Sequence, residues 1–178
     1  SLGDGELEPL PPGVHDVVVS ATDRAGNTAV DSTTDELRID RTPPVVTVTP
    51  QTVQDGSPAL TGMVSDRDPD VQVLVEVAGD TVSAAVSDGA WTVGAGVIGP
   101  LPDGVYDVRA TASDSAGNVA GDTTADELVV DTVAPEVTVD PLVTNDATPI
   151  LTGAVSDTAA AVVVTVAVDG QVIDASVH

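Results

Sequence analysis

An all-β fold is predicted for this chain, a tandem array of antiparallel β-sandwiches with about seven strands in each 91-residue repeat. Three observations predict it. First, the chain repeats without a gap: Leu10-Pro11, Gly13-Val14 and Asp16-Val17 return as Leu101-Pro102, Gly104-Val105 and Asp107-Val108, and Ala25-Gly26-Asn27 returns as Ala116-Gly117-Asn118. Residues 1–87 laid over 92–178 agree at 41 of 87 positions, eight of them acidic, and a period of that size is one small domain per repeat. Second, apolar residues alternate with period two between closely spaced turns, with no helical periodicity. Third, hydrophobic residues make up 42% of the chain, yet Phe is absent and Trp, Tyr and Met occur once each. The core therefore has to be built from Val, Ala, Leu and Ile, and abundant Val and Thr favour strands.

In chain order, Val46-Thr47-Val48 reads as a first strand and Leu60-Thr61-Gly62-Met63-Val64 as a second. Val71, Val73, Val75 and Val77 form the inward face of a third, and Thr81–Val86 returns from the Ala78-Gly79-Asp80 turn as a fourth. Trp91–Val93 is a short fifth, Val105–Ser113 a sixth and Glu127–Asp131 a seventh. Short strands in this number, without helices, define an antiparallel sandwich. Trp91 is expected to plug the core. Tyr106, at the start of the sixth strand, is expected to pack on the core edge with its hydroxyl bonded to nearby backbone. The turn at Ala116-Gly117-Asn118 suits residues that tolerate positive φ, with the preceding Asp bonding amides two residues on.

The period divides the chain into residues 1–40, the C-terminal part of one unit; 41–131, a complete unit; and 132–178, the N-terminal part of the next. A half-unit alone exposes strand edges and an apolar face. Two partners would cover them: neighbouring repeats of a longer chain, or head-to-tail copies of this one forming a filament. A unit of this size is marginally stable by surface-to-volume scaling, and without Cys no disulfide can staple it.

Charge restricts the partners further. The 29 acidic residues face five Arg and no Lys, a formal net charge of -24, which argues against nucleic acid or an anionic membrane as partner. No apolar run is long enough to span a bilayer. Catalysis is not expected: His15 and His178 are the two histidines, no Cys or Lys nucleophile exists, and aromatic residues to hold a sugar are lacking.

Leu101-Pro102-Asp103-Gly104-Val105-Tyr106-Asp107-Val108, then Ala112-Ser113-Asp114-Ser115-Ala116-Gly117-Asn118, then Val130-Asp131-Thr132-Val133-Ala134-Pro135 together resemble the bacterial immunoglobulin-like repeats of giant secreted adhesins of the RTX and biofilm type. The resemblance covers the whole chain. It departs at His15, which stands where the other copy has Tyr106, and at Arg41, which stands where it has Thr132. It implies an extracellular stalk on the bacterial surface, supporting cell adhesion or biofilm formation, often stiffened by calcium at the joints between units. Any host or surface ligand would bind elsewhere in the full protein.

In an immunoglobulin-like sandwich, the loops after the second and sixth strands lie at the end where the chain enters. That end would collect Asp40 from the linker, Asp66 and Asp68 from one loop, and Asp114 with Asn118 from the other. Calcium takes six to eight oxygens from such donors. The same positions recur one period away as Asp131, Asp157, Asp23 and Asn27, whereas Asp68 is replaced by Ala159. Asp66-Arg67-Asp68-Pro69-Asp70 lacks the glycine and closing Glu of an EF-hand loop. A second acidic group, Asp122, Asp126 and Glu127 with its copy Asp31, Asp35 and Glu36, is expected to be an acidic bulge protecting an edge strand, or else a second ion site.

Overall fold

The computed structural model describes residues 5, 7–66, 69–157 and 162–177. All of its regular structure is strand. The N-terminal segment carries β1 (Gly13–His15), β2 (Ser20–Thr22), β3 (Thr28–Val30) and β4 (Leu37–Ile39). The central unit follows with β5 (Val45–Val48), β6 (Gln51–Val53), β7 (Leu60–Ser65), β8 (Gln72–Val77), β9 (Asp80–Ser83), β10 (Ala85–Ser87), β11 (Ala90–Val93), β12 (Gly104–Tyr106), β13 (Val108–Ser113), β14 (Val119–Gly121) and β15 (Leu128–Val130). The C-terminal segment carries β16 (Glu136–Val139), β17 (Gly153–Ser156), β18 (Val164–Val168) and β19 (Gln171–Ala175).

Alternation builds the central sandwich. One sheet has the order β10-β11-β7-β5 and the other β14-β13-β8-β9. Every second residue of β5, β7, β8 and β13 turns inward, so Val46, Val48, Leu60, Val64, Val73, Val75, Val77, Val108, Ala110 and Ala112 are all buried. Leu128 and Val130 of β15 join them, with Ile98 and Leu101 from the long β11–β12 connection. Trp91 fills the centre with no exposed surface, and its indole Nε1 donates to the Thr47 carbonyl at 2.9 Å, which satisfies the one polar atom it takes inside.

Two expected strands are divided. Thr81–Val86 breaks at Ala84: β9 pairs with β8 and β10 with β11, so the chain crosses from one sheet to the other. Val105–Ser113 breaks at Asp107, where β12 pairs with β15 and β13 with β8. The sequence expectation of single strands fails here because inward parity runs unbroken through Tyr106, Val108 and Ala110, so the pattern carries no mark of the corner. Two further strands escape the alternation test. The polar β6 pairs parallel with β15, and the short β14 ends in a glycine and pairs with β13.

Tyr106 does what its position predicts: its hydroxyl donates to the Pro102 carbonyl at 2.7 Å. His15, its counterpart, places Nε2 2.9 Å from the Pro11 carbonyl, the same bond one period earlier. The imidazole thus substitutes for the phenol in anchoring this loop. The second departure is also compensated. Thr132 binds the Asp103 carboxylate through its amide and its hydroxyl; where Pro12 removes that carboxylate, Arg41 reaches the Leu10 carbonyl instead.

Pairing in the flanking segments repeats the central register. Gly13↔Ile39 in β1–β4 corresponds to Gly104↔Val130 in β12–β15, and Val137↔Val155 in β16–β17 corresponds to Val46↔Val64 in β5–β7. Burial does not repeat. Val137 and Val139 are 64% and 68% exposed, whereas Val46 and Val48 are 6% and 8% exposed. The strand pairs form in the central register, but among the described residues no second sheet buries their inner faces as it does in the central unit.

Candidate cation site at the joint

Each carboxylate of the site follows a strand end. Asp40 comes directly after β4, Asp66 directly after β7 and Asp114 directly after β13. Strands of both sheets thus deliver side chains to one end of the sandwich, beside the incoming linker. Each of the three contributes an oxygen to a set lying within 4.8 Å of one another, and among the described residues these are the carboxylates that form such a group. Asp114 is 8% exposed; Asp40 and Asp66 are half-buried.

The turn after β13 holds Asp114 in place. Gly117 takes φ of 88°, a conformation that costs glycine little, and this lets the Asn118 amide reach Asp114 Oδ1 at 2.8 Å. The Asn118 side-chain nitrogen donates to Asp114 Oδ2 at 2.7 Å and to the Asp40 carbonyl at 3.1 Å. Asn118 therefore ties the linker to the turn. The Asn118 side-chain bond, with backbone amides of the turn adding to it, holds the Asp114 carboxyl below its usual value despite the opposing cost of burial. Asp114 is thus kept as an anion.

The Asp40 carboxylate has two partners among the described residues. Its Oδ1 accepts the Thr42 amide at 3.0 Å, and its Oδ2 lies 2.7 Å from Arg38 Nη2.

Asp68 falls outside the described residues. The earlier copy of the turn repeats both bonds to the Asp: Asn27 donates its amide to Asp23 Oδ1 at 2.8 Å and its side-chain nitrogen to Oδ2 at 2.7 Å, and Asp23 is held low chiefly by that side-chain bond. Asp131 Oδ1 accepts the Val133 amide at 3.2 Å, as Asp40 does from Thr42. Asp157 follows β17 as Asp66 follows β7. Asp23, Asp131 and Asp157 are not joined into a three-carboxylate group among the described residues.

The second acidic group is mainly internal scaffolding. Glu127 is buried at 2% exposure, so it is not a solvated guard of an edge; its Oε2 accepts the Val108 amide at 2.9 Å, at the corner between β12 and β13. Its copy Glu36 accepts the Val17 amide at 3.0 Å. Asp122 Oδ2 accepts the Val48 amide at 2.8 Å. Asp126, at φ of 64°, donates its amide to Asp107. The charge pattern alone could not reveal this use, because a carboxylate that pins a corner and one that faces water read alike.

Three hard carboxylate oxygens this close fit one calcium ion. Ligand distances of about 2.3–2.6 Å allow two oxygens on the same ion to stand up to about 5 Å apart. Calcium would take Asp40, Asp66 and Asp114, completing its shell from water or backbone carbonyls.

By class, the central unit is an antiparallel immunoglobulin-like sandwich with carboxylates gathered where the preceding segment enters it. Residues 47–132 match the bacterial Ig-like domain family, and residues 5–83 match the bacterial Ig-like domain (group 3) family; the matched residues are bacterial Ig-like repeats. No curated protein matches the chain. A solved structure described as the tetra-tandem repeat in the extending region of a large adhesion protein aligns at 28% identity with a TM-score of 0.45, covering 89% of this chain. The chain spans 43% of the length of that neighbour.

Proposed function

We propose that the chain is a spacer segment of a large extracellular bacterial surface protein of the adhesin kind, and that calcium stiffens its joints. The observation that carries this is the convergence of Asp40, from the linker, with Asp66 and Asp114, from the central unit. An ion held by all three would clamp the linker to the sandwich and offset repulsion in a chain of net charge -24. Thr42-Pro43-Pro44, next in sequence, restricts the joint to extended conformations. Neighbouring repeats are then the natural partners, each covering the next.

The test is a thermal melt in calcium, in magnesium and in chelator at matched ionic strength. At a hundred times Kd, a ligand of the native state adds about 2.7 kcal/mol, which raises Tm by roughly 10 °C or more in a domain this small. Asp66→Asn should remove the rise. Equal response to all salts would leave only a screened acidic surface.

A second proposal, a filament of head-to-tail copies, is favoured by inner faces less covered than those of the central unit: Val137 and Val139 of β16 are exposed, and Val164 and Val166 of β18 are half-buried. Its signature is a mass that grows with concentration.

A further inference from the structure

We infer that Arg38 is a built-in cation that sets how tightly the joint takes a divalent ion. This rests on the calcium-joint proposal above and concerns the regulation of that same site. Arg38 lies in the middle of β4 and directs its guanidinium at Asp40, with Nη2 2.7 Å from Oδ2. Guanidinium stays charged at every accessible pH and only donates. It therefore engages one carboxylate of the three-carboxylate group and offsets its negative charge. A calcium ion entering the group has to displace that contact or accept a donor set weakened by one charge.

The repeat supplies the internal comparison. One period on, Val129 stands in the place of Arg38 while Asp131 keeps the place of Asp40. The joint position thus occurs in one chain both with and without its own cation. The Arg38 side chain is 43% exposed and that of Asp40 13%, so the guanidinium is free to swing into water when an ion arrives and is a tuner rather than a block. Ion pairs open to solvent on one side, as this one is, shift equilibria by about two- to fivefold. An array alternating Arg and Val here would stiffen in steps as calcium rises, instead of all at one concentration.

The experiment is a calorimetric calcium titration of the full chain at fixed ionic strength, with a melt in chelator to verify folding. Arg38→Val installs the residue of the other copy, and Arg38→Gln keeps length without charge; both should bind calcium about two- to fivefold tighter. Arg109→Val, at an exposed site on β13, removes the same charge elsewhere and should leave affinity unchanged. If wild type binds calcium and Asp66→Asn does not, yet the Arg38 variants match wild type or Arg109→Val, the role of Arg38 is overturned while the joint site stands. If wild type shows no binding that Asp66→Asn removes, the joint site itself falls, and the inference with it.

Discussion

At Gly62 the chain has no room for a single methyl group. A Cβ there would run into the Thr47 carbonyl and the Trp91 indole, the two partners whose hydrogen bond crosses this spot. Gly153, its copy, is closed in the same way by the Thr138 carbonyl. The glycine is therefore demanded by the approach of a neighbouring strand, not by a turn. Gly62→Ala should destabilise the central unit by about 3 kcal/mol, the upper end of overpacking costs, in urea unfolding followed by the fluorescence of Trp91, the one Trp of the chain. A loss under about 0.5 kcal/mol would mean that β5 and Trp91 shift aside at little cost. Repetition makes the glycine visible in the sequence, but the cause does not show, because Trp91 lies far along the chain. His15 is a similar case. As a substitution for tyrosine it looks like a departure, and only the bond to Pro11 shows it doing the same task.

Among elements, the strands that alternate cleanly were legible and the corners were not. β7, β8 and β13 bury every second residue and stand where Val and Leu place them. The corners at Ala84 and Asp107 and the parallel β6 depend on bonds between distant segments, which period and composition do not encode. Asp122 is one such link: it follows β14 and accepts the amide of Val48 in β5, joining the two sheets. Burial works to raise its pKa, but the Thr124 hydroxyl and the amides of Val48 and Thr124 prevail and hold it below the usual 3.8. A carboxyl lowered on folding stabilises above its unfolded value, and that contribution drains away as pH falls through the folded value. Asp122→Asn should therefore cost about 1.5–3 kcal/mol at pH 7, where a charged acceptor is lost. The gap between variant and wild type should close as pH drops below about 4. Urea titrations at pH 7 and pH 3 check this, and an undiminished gap at pH 3 would rule out the charge as its source.

For the whole molecule, the decisive contrast lies between identical patterns with different burial. The joint carboxylates were legible because a period of 91 puts Asp23 and Asp114, Asp40 and Asp131, and Asp66 and Asp157 at equivalent positions, while topology says which of these meet. What covers the flanks is not written in any one repeat, since covering is a property of neighbours. Hydrogen exchange measures it directly. Amides of β7, β8 and β13 sit in ladders backed by a buried core and should open only with global unfolding, whereas β16–β19 form two-stranded pairs whose inner faces are exposed or only half-buried and should exchange orders of magnitude faster. For a spacer, extending the chain by the strands that complete the C-terminal unit should slow β16–β19 to central-unit rates, and raising protein concentration should do nothing. For a head-to-tail filament, concentration alone should protect β16–β19 together with β1–β4, because each would find its missing sheet on another copy.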